Sequence, residues 1–443
     1  MSDRMSVNRL GPIFAWVWAL ALVGVAWGGE GPASPRAAEA PRSREARQVF
    51  ERAQDKVLQI RVVLKATQSQ AATGSGFLAS EAGHVITNYH VVSDVALEPD
   101  RHQLEYVRGD GSRGGLELVA VDVLHDLAVA RIRGHRSTSF GWHAGTMRKG
   151  DRGYSLGNPL GVGLSIVEGT FNGKVEESFT DLIHFTGAIN PGMSGGPAVT
   201  AAGNVFGVNV AIHRRGQLVG YLVPAGYARD LLSAAPPDGG PAPQEFRREI
   251  VRQLLQHQDA ILGELLATPL PVQSLAHFVV PNRPAPFVRC WGAGERQAKQ
   301  RYEEDSIVCE TQAGIYVGRD IRVEPVRFEH SLLRPKGMGA WRFARLLGQE
   351  YRAERSGCDC AREEFTRFVC SEEFVETGGL ALRAAVCGRA YRKFPGLYDL
   401  QLRFVSVNSS EEGLVGKLTL TGVGYDRGLA FVRHYLESLR WNP

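Results

Sequence analysis

The sequence predicts an all-β sandwich or barrel, with room for two barrels, followed by a smaller α+β domain. Between residues 49 and 235, short β-branched runs are broken by turn residues roughly every eight to twelve positions, as in sandwiches and barrels of short strands. Residues 244–268 change to a helical period of apolar side chains. Beyond residue 269, alternating stretches typical of strands are mixed with helical ones, which indicates the α+β domain.

The length and the net charge of the chain indicate the number of domains and exclude some classes of partner. The chain has 443 residues, which favours two folded domains. Lys and Arg number 51 and Asp and Glu 47, so the formal net charge is only +4. This near balance gives no reason to expect nucleic acid or an anionic membrane surface as a partner.

The first 48 residues do not have the composition of a folded domain. Arg4 and Arg9 precede an apolar run over residues 11–27, and small residues follow it. This order predicts a secretory signal peptide at residues 1–29, with a Pro-, Ala- and Arg-rich tether at 30–48. An uncleaved membrane anchor is the alternative, although 17 apolar residues are short for a span. Either way we expect an exported chain, periplasmic or secreted, with membrane contact only if the segment is uncleaved.

All six cysteines lie in the last third of the chain. An even number in an exported protein predicts disulfide bonds, with free thiols for one pair as the alternative, and the pairing stays open. The CDC spacing at Cys358 and Cys360 does not match zinc ligands, so we expect no metal, and we expect no cofactor. The candidates for disulfide bonding are Cys290, Cys309, Cys358, Cys360, Cys370 and Cys387.

A linker and a helix separate the two predicted domains. Residues 236–243 are rich in Pro, Gly and Ala, as linkers are. Residues 244–268 form a predicted amphipathic helix, whose apolar face consists of Phe246, Ile250, Leu254, Ile261 and Leu265. We therefore expect a barrel domain over residues 49–235 and a separate α+β domain over residues 269–443.

Ser194 is the strongest candidate for a nucleophile, in the segment NPGMSGGP. A serine hydroxyl needs a base to take its proton and N–H donors for the oxyanion of the tetrahedral intermediate. Gly192 lets the backbone turn so that N–H groups face the substrate. We place this oxyanion site at Gly192, Met193 and Ser194. Taken alone, the segment is as well explained by a glycine-rich turn without a catalytic role.

Two other segments supply the partners that such a serine needs. His90 follows an apolar strand in VITNYHVV, where an imidazole can act as a base near neutral pH. Asp126 starts an apolar strand in HDLAVA, where its carboxylate can hold the imidazole through Nδ1–H. A structural histidine and a solvated turn aspartate are the alternatives, and Asp122 and His125 are nearby rivals. Taken together with Ser194, the segments predict a catalytic triad.

With these motifs combined, residues 49–235 resemble the trypsin-like serine proteases, and most closely the HtrA/Deg family. The matching segments are GSGFLAS, VITNYHVV, HDLAVARI, SLGNPLG, AINPGMSGGPAV and VFGVNVAI. The order His, Asp, Ser is that of the trypsin-like fold. The resemblance implies an all-β double six-stranded barrel and peptide-bond hydrolysis through an acyl-enzyme. It makes Ser194 the nucleophile, His90 the acid and base, and Asp126 the residue that orients the imidazole.

The resemblance also implies a pocket for the substrate residue before the cleaved bond. Its walls would be Ile189, Asn209, Val210, Ala211 and Ile212. No acidic side chain occurs at Ile189, so we expect small to medium aliphatic residues in this pocket. The expected partners are protein or peptide substrates, either unfolded or specific envelope proteins.

Two features depart from the family pattern. Met193 stands where relatives have Asp or Asn, and a methionine cannot form an ion pair with a new N-terminal amine. No carboxylate-binding loop of the PDZ type follows the linker. The alternative function is therefore a catalytically weak or inactive protease-fold protein that acts as a scaffold, with a C-terminal domain that docks an envelope protein.

Overall fold

The computed structural model describes residues 44–136, 138–178, 180–210, 220–236, 239–295, 301–311, 314–353 and 363–442. The predicted signal peptide and residues 30–43 of the predicted tether lie outside these residues, and the last five residues of that tether belong to a helix that begins at Arg44. Ala211, Ile212, Cys358 and Cys360 among the residues singled out above also lie outside the described residues, as does part of the predicted linker. Within the described part of the chain, no helix is both long and apolar enough to cross a membrane.

The first barrel is built on alternating apolar side chains. In its first strand Leu58, Ile60 and Val62 lie on one face and are fully buried, as strand geometry requires. Helix α1 (Arg44–Ala53) precedes the barrel. The strands are β1 (Val57–Leu64), β2 (Gln70–Leu78), β3 (His84–Thr87), β4 (His102–Val107), β5 (Arg113–Asp122) and β6 (Leu127–Arg131), with helix α2 (Tyr89–Leu97) between β3 and β4. They close in the order β1-β2-β3-β6-β5-β4.

The second barrel has the same architecture and strand pairing. Its strands are β7 (Arg152–Gly157), β8 (Ser165–Lys174), β9 (Ile183–Thr186), β10 (Pro197–Val199), β11 (Val205–Val210) and β12 (Gly220–Pro224), followed by helix α3 (Ala225–Ala234). They close in the order β10-β11-β12-β9-β8-β7. Phe77 of the first barrel and Tyr154 of the second are fully buried in one core that joins the two. The predicted double six-stranded barrel is therefore confirmed.

The described part of the C-terminal region contains a large antiparallel sheet and three helices, of which α4 (Pro243–Leu266) is the first. After α4, its elements are β13 (Val272–Leu275), β14 (Phe278–Pro281), β15 (Val288–Glu295), β16 (Tyr302–Thr311), β17 (Ile315–Gly318), β18 (Ile321–Val323), β19 (Arg327–Pro335), α5 (Ala340–Ala353), β20 (Val369–Thr377), β21 (Leu380–Ala390), β22 (Tyr398–Ser406), β23 (Gly413–Val423), α6 (Tyr425–Glu437) and β24 (Arg440–Trp441). Seven strands form the sheet in the order β15-β16-β19-β23-β22-β21-β20, and β17 pairs with β18 alone. The α+β character predicted for this region is confirmed.

The two faces of the large sheet bury different helices, because side chains alternate along each strand. Leu402 and Phe404 of β22 pack in one core with α6 and the C-terminal half of α4. Val405, the next residue, packs on the other face with Phe343 and Leu347 of α5.

Four of the six cysteines form disulfide bonds between neighbouring strands. Cys290 of β15 is bonded to Cys309 of β16, directly opposite in register. Cys370 of β20 is bonded to Cys387 of β21 in the same way. Both bonds lie near an edge of the large sheet, and they confirm the prediction of disulfide bonds for these four residues.

Helix α4 packs in two cores at once. Phe246, Ile250 and Leu254 of its N-terminal half are buried with the first barrel. Ile261 and Leu265 of its C-terminal half are buried with the large sheet. The described residues, from Arg44 to Asn442, accordingly form one compact unit. The expected boundary at residue 269 is not a break in the packing, because the apolar face of this helix is shared between the barrel and the sheet.

Candidate functional site

His90 lies in the first turn of α2. Asn88 precedes this helix in extended backbone geometry, so the chain turns sharply from β3 into the helix. The preceding side chain, that of Tyr89, is fully buried and fixes the turn, while the imidazole of His90 is 29% exposed. The turn therefore holds one aromatic side chain inside the barrel and presents the next to the surface of a cleft.

Asp126 holds His90 at two points. Its Oδ2 lies 2.6 Å from His90 Nδ1, and its Oδ1 accepts a hydrogen bond of 2.8 Å from the backbone N–H of His90. The carbonyl of Asp126 accepts a further bond of 3.1 Å from the N–H of Tyr89. Asp126 has a φ of 54°, a left-handed conformation that aspartate tolerates better than most residues. The imidazole is therefore fixed in orientation, with Nε2 left for another partner.

The pKa of His90 lies above its ordinary value. Burial by itself lowers the pKa of this imidazole, and the nearby Arg322 guanidinium lowers it further. The charge of Asp126 and its hydrogen bond to the ring raise the pKa, and together they outweigh the other effects. The Asp126 carboxylate thus stabilises the imidazolium, which a base needs after it has taken a proton.

Ser194 follows a tight turn whose third position favours glycine. Met193 N–H donates to Asn190 O at 3.0 Å, and Gly192, at the third position of this turn, has a φ of 95°. These are the features of a type II turn, which favours glycine at that position. Gly195 behind the serine has a φ of 83°, and a Cβ there would lie 2.3 Å from the carbonyl oxygen of Ser75. The serine is therefore placed by backbone shape on both sides.

Ser75 of β2 ties this turn to the first barrel. Its hydroxyl donates to Gly192 O at 2.7 Å and accepts from Asn158 N–H at 2.8 Å. Its backbone N–H donates to Ser194 O at 2.8 Å. The segment GSGFLAS carries part of the family resemblance, but no role was predicted for Ser75. A small polar residue between two glycines was the only signal, and it does not say which backbone groups the hydroxyl will meet.

His90, Asp126 and Ser194 come together on the wall of one cleft of about 600 Å³. The structure therefore brings the three predicted residues to one place, although 104 positions separate the first from the last. Pro191 and Gly192 line the same cleft, so the turn that carries the predicted oxyanion donors also faces it. Met193 is buried, and its N–H is used inside the turn.

The residues predicted to contact substrate lie in different places. Val210 lines the cleft, together with Leu182 and Val223, which the sequence analysis missed. Ile189 does not line the described part of the cleft and packs with the apolar interior of the second barrel. Leu182 and Val223 had no motif around them, and only the closing of the barrel brings them beside Val210.

Asn209 is fully buried behind the serine. Its side-chain amide donates to Leu156 O at 2.8 Å and to Met193 O at 3.3 Å, and its oxygen accepts from the Ser155 hydroxyl. The structure thus places Asn209 as a support for the serine turn rather than on the cleft. Ala211 and Ile212 lie outside the described residues.

The rival histidine, His125, also lines the cleft, but it is paired with Asp122. His125 Nδ1 lies 2.7 Å from Asp122 Oδ2, and the imidazole stacks on the ring of Tyr227 at 3.7 Å between centres. Asp122 also accepts from two backbone N–H groups, so it acts as a turn residue. Among the described residues, no group of three or more His, Cys, Asp or Glu side chains is arranged to hold a metal ion.

The fold and this arrangement define a class. The family model described as trypsin-like peptidase domain matches residues 74–208, which include all three residues of the predicted triad. The chain is 32% identical over 182 residues to a probable periplasmic serine endoprotease, DegP-like, of Chlamydia trachomatis serovar D. It is 36% identical over 149 residues to the protein of the same description from Brucella suis biovar 1. The barrel region is thus similar to the HtrA/Deg-like trypsin-like proteases, and the predicted resemblance is confirmed.

The similarity covers only part of each chain. The match to the Chlamydia protein includes 39% of this chain and 35% of that protein, and the match to the Brucella protein 32% and 28%. The chain thus spans about a third of the length of the curated relatives that it matches. A solved serine endoprotease of Yersinia pestis is 25% identical, with a TM-score of 0.38, over 44% of this chain and 67% of that one. A protease of Mycobacterium tuberculosis in its active form is 20% identical, with a TM-score of 0.39, over 44% and 87%.

Proposed function

We propose that the protein is a serine endopeptidase that cleaves exported proteins or peptides, with Ser194 as nucleophile, His90 as base and acid, and Asp126 as the residue that orients His90. The observation that carries the proposal is the double hydrogen bond from Asp126 to the side chain and backbone of His90, on the cleft that also contains Ser194. Export agrees with the names of the periplasmic relatives and with the two disulfide bonds.

In the first half of the reaction, the Ser194 hydroxyl attacks the carbonyl carbon of the substrate while His90 Nε2 takes its proton. The negative charge that develops on the carbonyl oxygen is met by the N–H groups of Gly192 and Ser194. Collapse of this intermediate breaks the C–N bond, and the imidazolium returns the proton to the leaving amine. The acyl-enzyme is then hydrolysed by water, with His90 again as the base.

The oxyanion turn is held by neutral groups. Met193 has no charge and is buried, so no ion pair with a free N-terminus can organise this turn. Ser75 and Asn209 do so instead, because they bind Gly192 O and Met193 O. A site of this kind needs no proteolytic release of a new terminus to form.

The lining of the cleft suggests which residue precedes the cleaved bond. Leu182, Val210 and Val223 give this part of the cleft aliphatic walls, and the carboxylate of the neighbouring Asp181 is paired with Lys174. A small to medium aliphatic side chain fits such walls. Its apolar surface is removed from water on binding, which is favourable, and it buries no polar group without a partner.

Covalent labelling with a fluorophosphonate tests the proposal directly. The full exported chain should label at one site, and Ser194→Ala should not label. The rate of labelling should fall with His90→Ala as well, because an unactivated serine is a poor nucleophile. Absence of labelling in the wild-type chain, with and without unfolded protein present, would favour the alternative of a protease-fold binding protein.

A further inference from the structure

Part of the C-terminal region reaches the proposed active-site cleft. We define the cleft hairpin as β17, β18 and the turn between them, residues 315–323. Every second side chain of its strands faces the first barrel, as strand geometry requires. These buried residues, which pack in the same core as Tyr89 of α2, are Ile315, Val317, Ile321 and Val323. The cleft hairpin is therefore a fixed part of the barrel surface.

Two polar contacts add to this packing, and both go to the helix that carries His90. The buried hydroxyl of Tyr89 donates to Val317 O at 2.7 Å. Arg319, in the turn of the hairpin, forms an ion pair of 3.0 Å with Asp94 of α2. The buried packing and the Tyr89 hydrogen bond thus set the position of the cleft hairpin relative to His90, whereas the ion pair of Arg319, whose side chain is 68% exposed, adds little to it.

The opposite face of the cleft hairpin lines the cleft. Tyr316 and Arg322 are partners in the register of the two strands, so their side chains lie side by side. The ring of Tyr316 lies edge-on to the imidazole of His90, with 6.1 Å between the ring centres. The guanidinium carbon of Arg322 lies 5.6 Å from the centre of the Tyr316 ring. Both residues are on the wall of the cleft that contains Ser194.

The cation of Arg322 is not neutralised by the acids around it. Asp126 is bound to His90, and Asp181 is bound to Lys174 at 2.6 Å. Glu324 also lines the cleft, but within the described part of the chain Arg322 forms no ion pair with it or with another carboxylate. Arg322 is exposed, and its field lowers the pKa of His90, so the positive charge is effective at the reacting end of the cleft.

We propose that Tyr316 and Arg322 form a substrate subsite beside His90 that takes an acidic side chain of the bound polypeptide. This inference rests on the proposed peptidase function, since it concerns the same cleft. The guanidinium offers a planar set of donors that suits a carboxylate, and the Tyr316 ring supports the guanidinium from one side. The C-terminal region would therefore select substrates at the cleft itself, close to the bond that is cut.

Peptide binding to the Ser194→Ala full-length chain tests the subsite without any need for turnover. The peptides share one aliphatic residue for the pocket and carry Glu, Gln or Lys at each flanking position in turn. Fluorescence anisotropy should give a preference for Glu over Lys of about tenfold at one position, the scale of one charge-assisted contact. Arg322→Glu, made in the same background, should reverse that preference.

The matched control is Arg319→Gln, in the same hairpin but paired with Asp94 outside the cleft. This variant should keep the preference of the parent, whereas Arg322→Gln should abolish it. The proposal is overturned if acidic peptides bind no better than basic ones, if none of the peptides binds, or if Arg319→Gln and Arg322→Gln change the preference equally.

The two proposals fail in different ways. If Ser194 does not react with a fluorophosphonate but the charge preference reverses with Arg322→Glu, the subsite is supported and the peptidase function is not. If Ser194 reacts and cleavage occurs with no charge preference at any position, the peptidase function is supported and the subsite is wrong.

Discussion

The hydroxyl of Tyr89 donates a hydrogen bond of 2.7 Å to the carbonyl oxygen of Val317. Tyr89 immediately precedes His90 in α2, and Val317 belongs to the C-terminal region. Burial keeps the pKa of Tyr89 well above its ordinary value, so this hydroxyl remains a donor over the whole pH range of interest. A backbone carbonyl more than 200 positions away therefore helps to fix the turn that carries the proposed base.

Tyr89→Phe should lower the free energy of unfolding by about 1–2 kcal/mol, because the buried carbonyl of Val317 loses its partner. Chemical denaturation of the two proteins measures this difference. Tyr425→Phe is the control, since Tyr425 is 46% exposed and its loss of a hydroxyl should cost much less. Equal effects of the two changes would contradict the importance assigned to the buried bond.

Ser75→Ala should reduce kcat about tenfold with little change in KM. The variant keeps Gly192 but removes the hydroxyl that holds its carbonyl, so the oxyanion donors are less well placed in the transition state. Steady-state cleavage of one peptide gives both constants. Ser233→Ala, on the outer face of α3, is the matched control and should change neither. A rise in KM at constant kcat would instead give Ser75 a role in substrate binding.

Arg322→Gln should move the acid limb of the kcat/KM profile to higher pH. Asp126 raises the pKa of His90 and Arg322 lowers it, while Tyr316 is the neutral side chain that faces the ring. Removal of the Arg322 cation leaves the pKa of His90 higher. Because the imidazole must be neutral to accept a proton, activity should be lost at a higher pH when the solution is acidified. Arg319→Gln should leave the limb in place. A shift in the opposite direction would contradict the charge arrangement described above.

The barrels and the large sheet should unfold in one cooperative transition when the disulfide bonds are intact. Leu254 and Leu262 of α4 are both fully buried, the first with the barrel and the second with the sheet. Leu254→Ala and Leu262→Ala should each destabilise by about 2–5 kcal/mol and should both shift the same transition. Calorimetry distinguishes this outcome from two separate transitions, each shifted by only one of the variants.

The sequence predicted the parts of the site that depend on local motifs. Ser194 and Gly192 stand in a turn whose shape is dictated by neighbouring glycines, and His90 and Asp126 each adjoin an apolar strand. Such segments specify their own conformation, so the residues could be identified before the barrels were known. The strand spacing left a sandwich or a barrel open, and the family resemblance predicted the two closed barrels.

Other features depend on contacts that no short segment encodes. Asn209 is next to Val210 in sequence, yet alternation along β11 sends one side chain behind the serine and the other to the cleft. Tyr316 and Arg322 have no motif, and they reach His90 only because the buried face of their hairpin matches the barrel. The apolar face of α4 was predicted, but periodicity does not say that two different cores will cover its two halves.

Because the two halves of α4 are buried in different cores, the C-terminal region cannot easily be exchanged for another domain. A module on a flexible tether can be exchanged for another by recombination, because few contacts cross the junction. Here a crossover near residue 255 would leave half of a buried helix without its complement, and a replacement would have to supply a matching hairpin for the barrel as well. A protein in which only the C-terminal region has been exchanged should therefore expose apolar surface on α4 and on the first barrel.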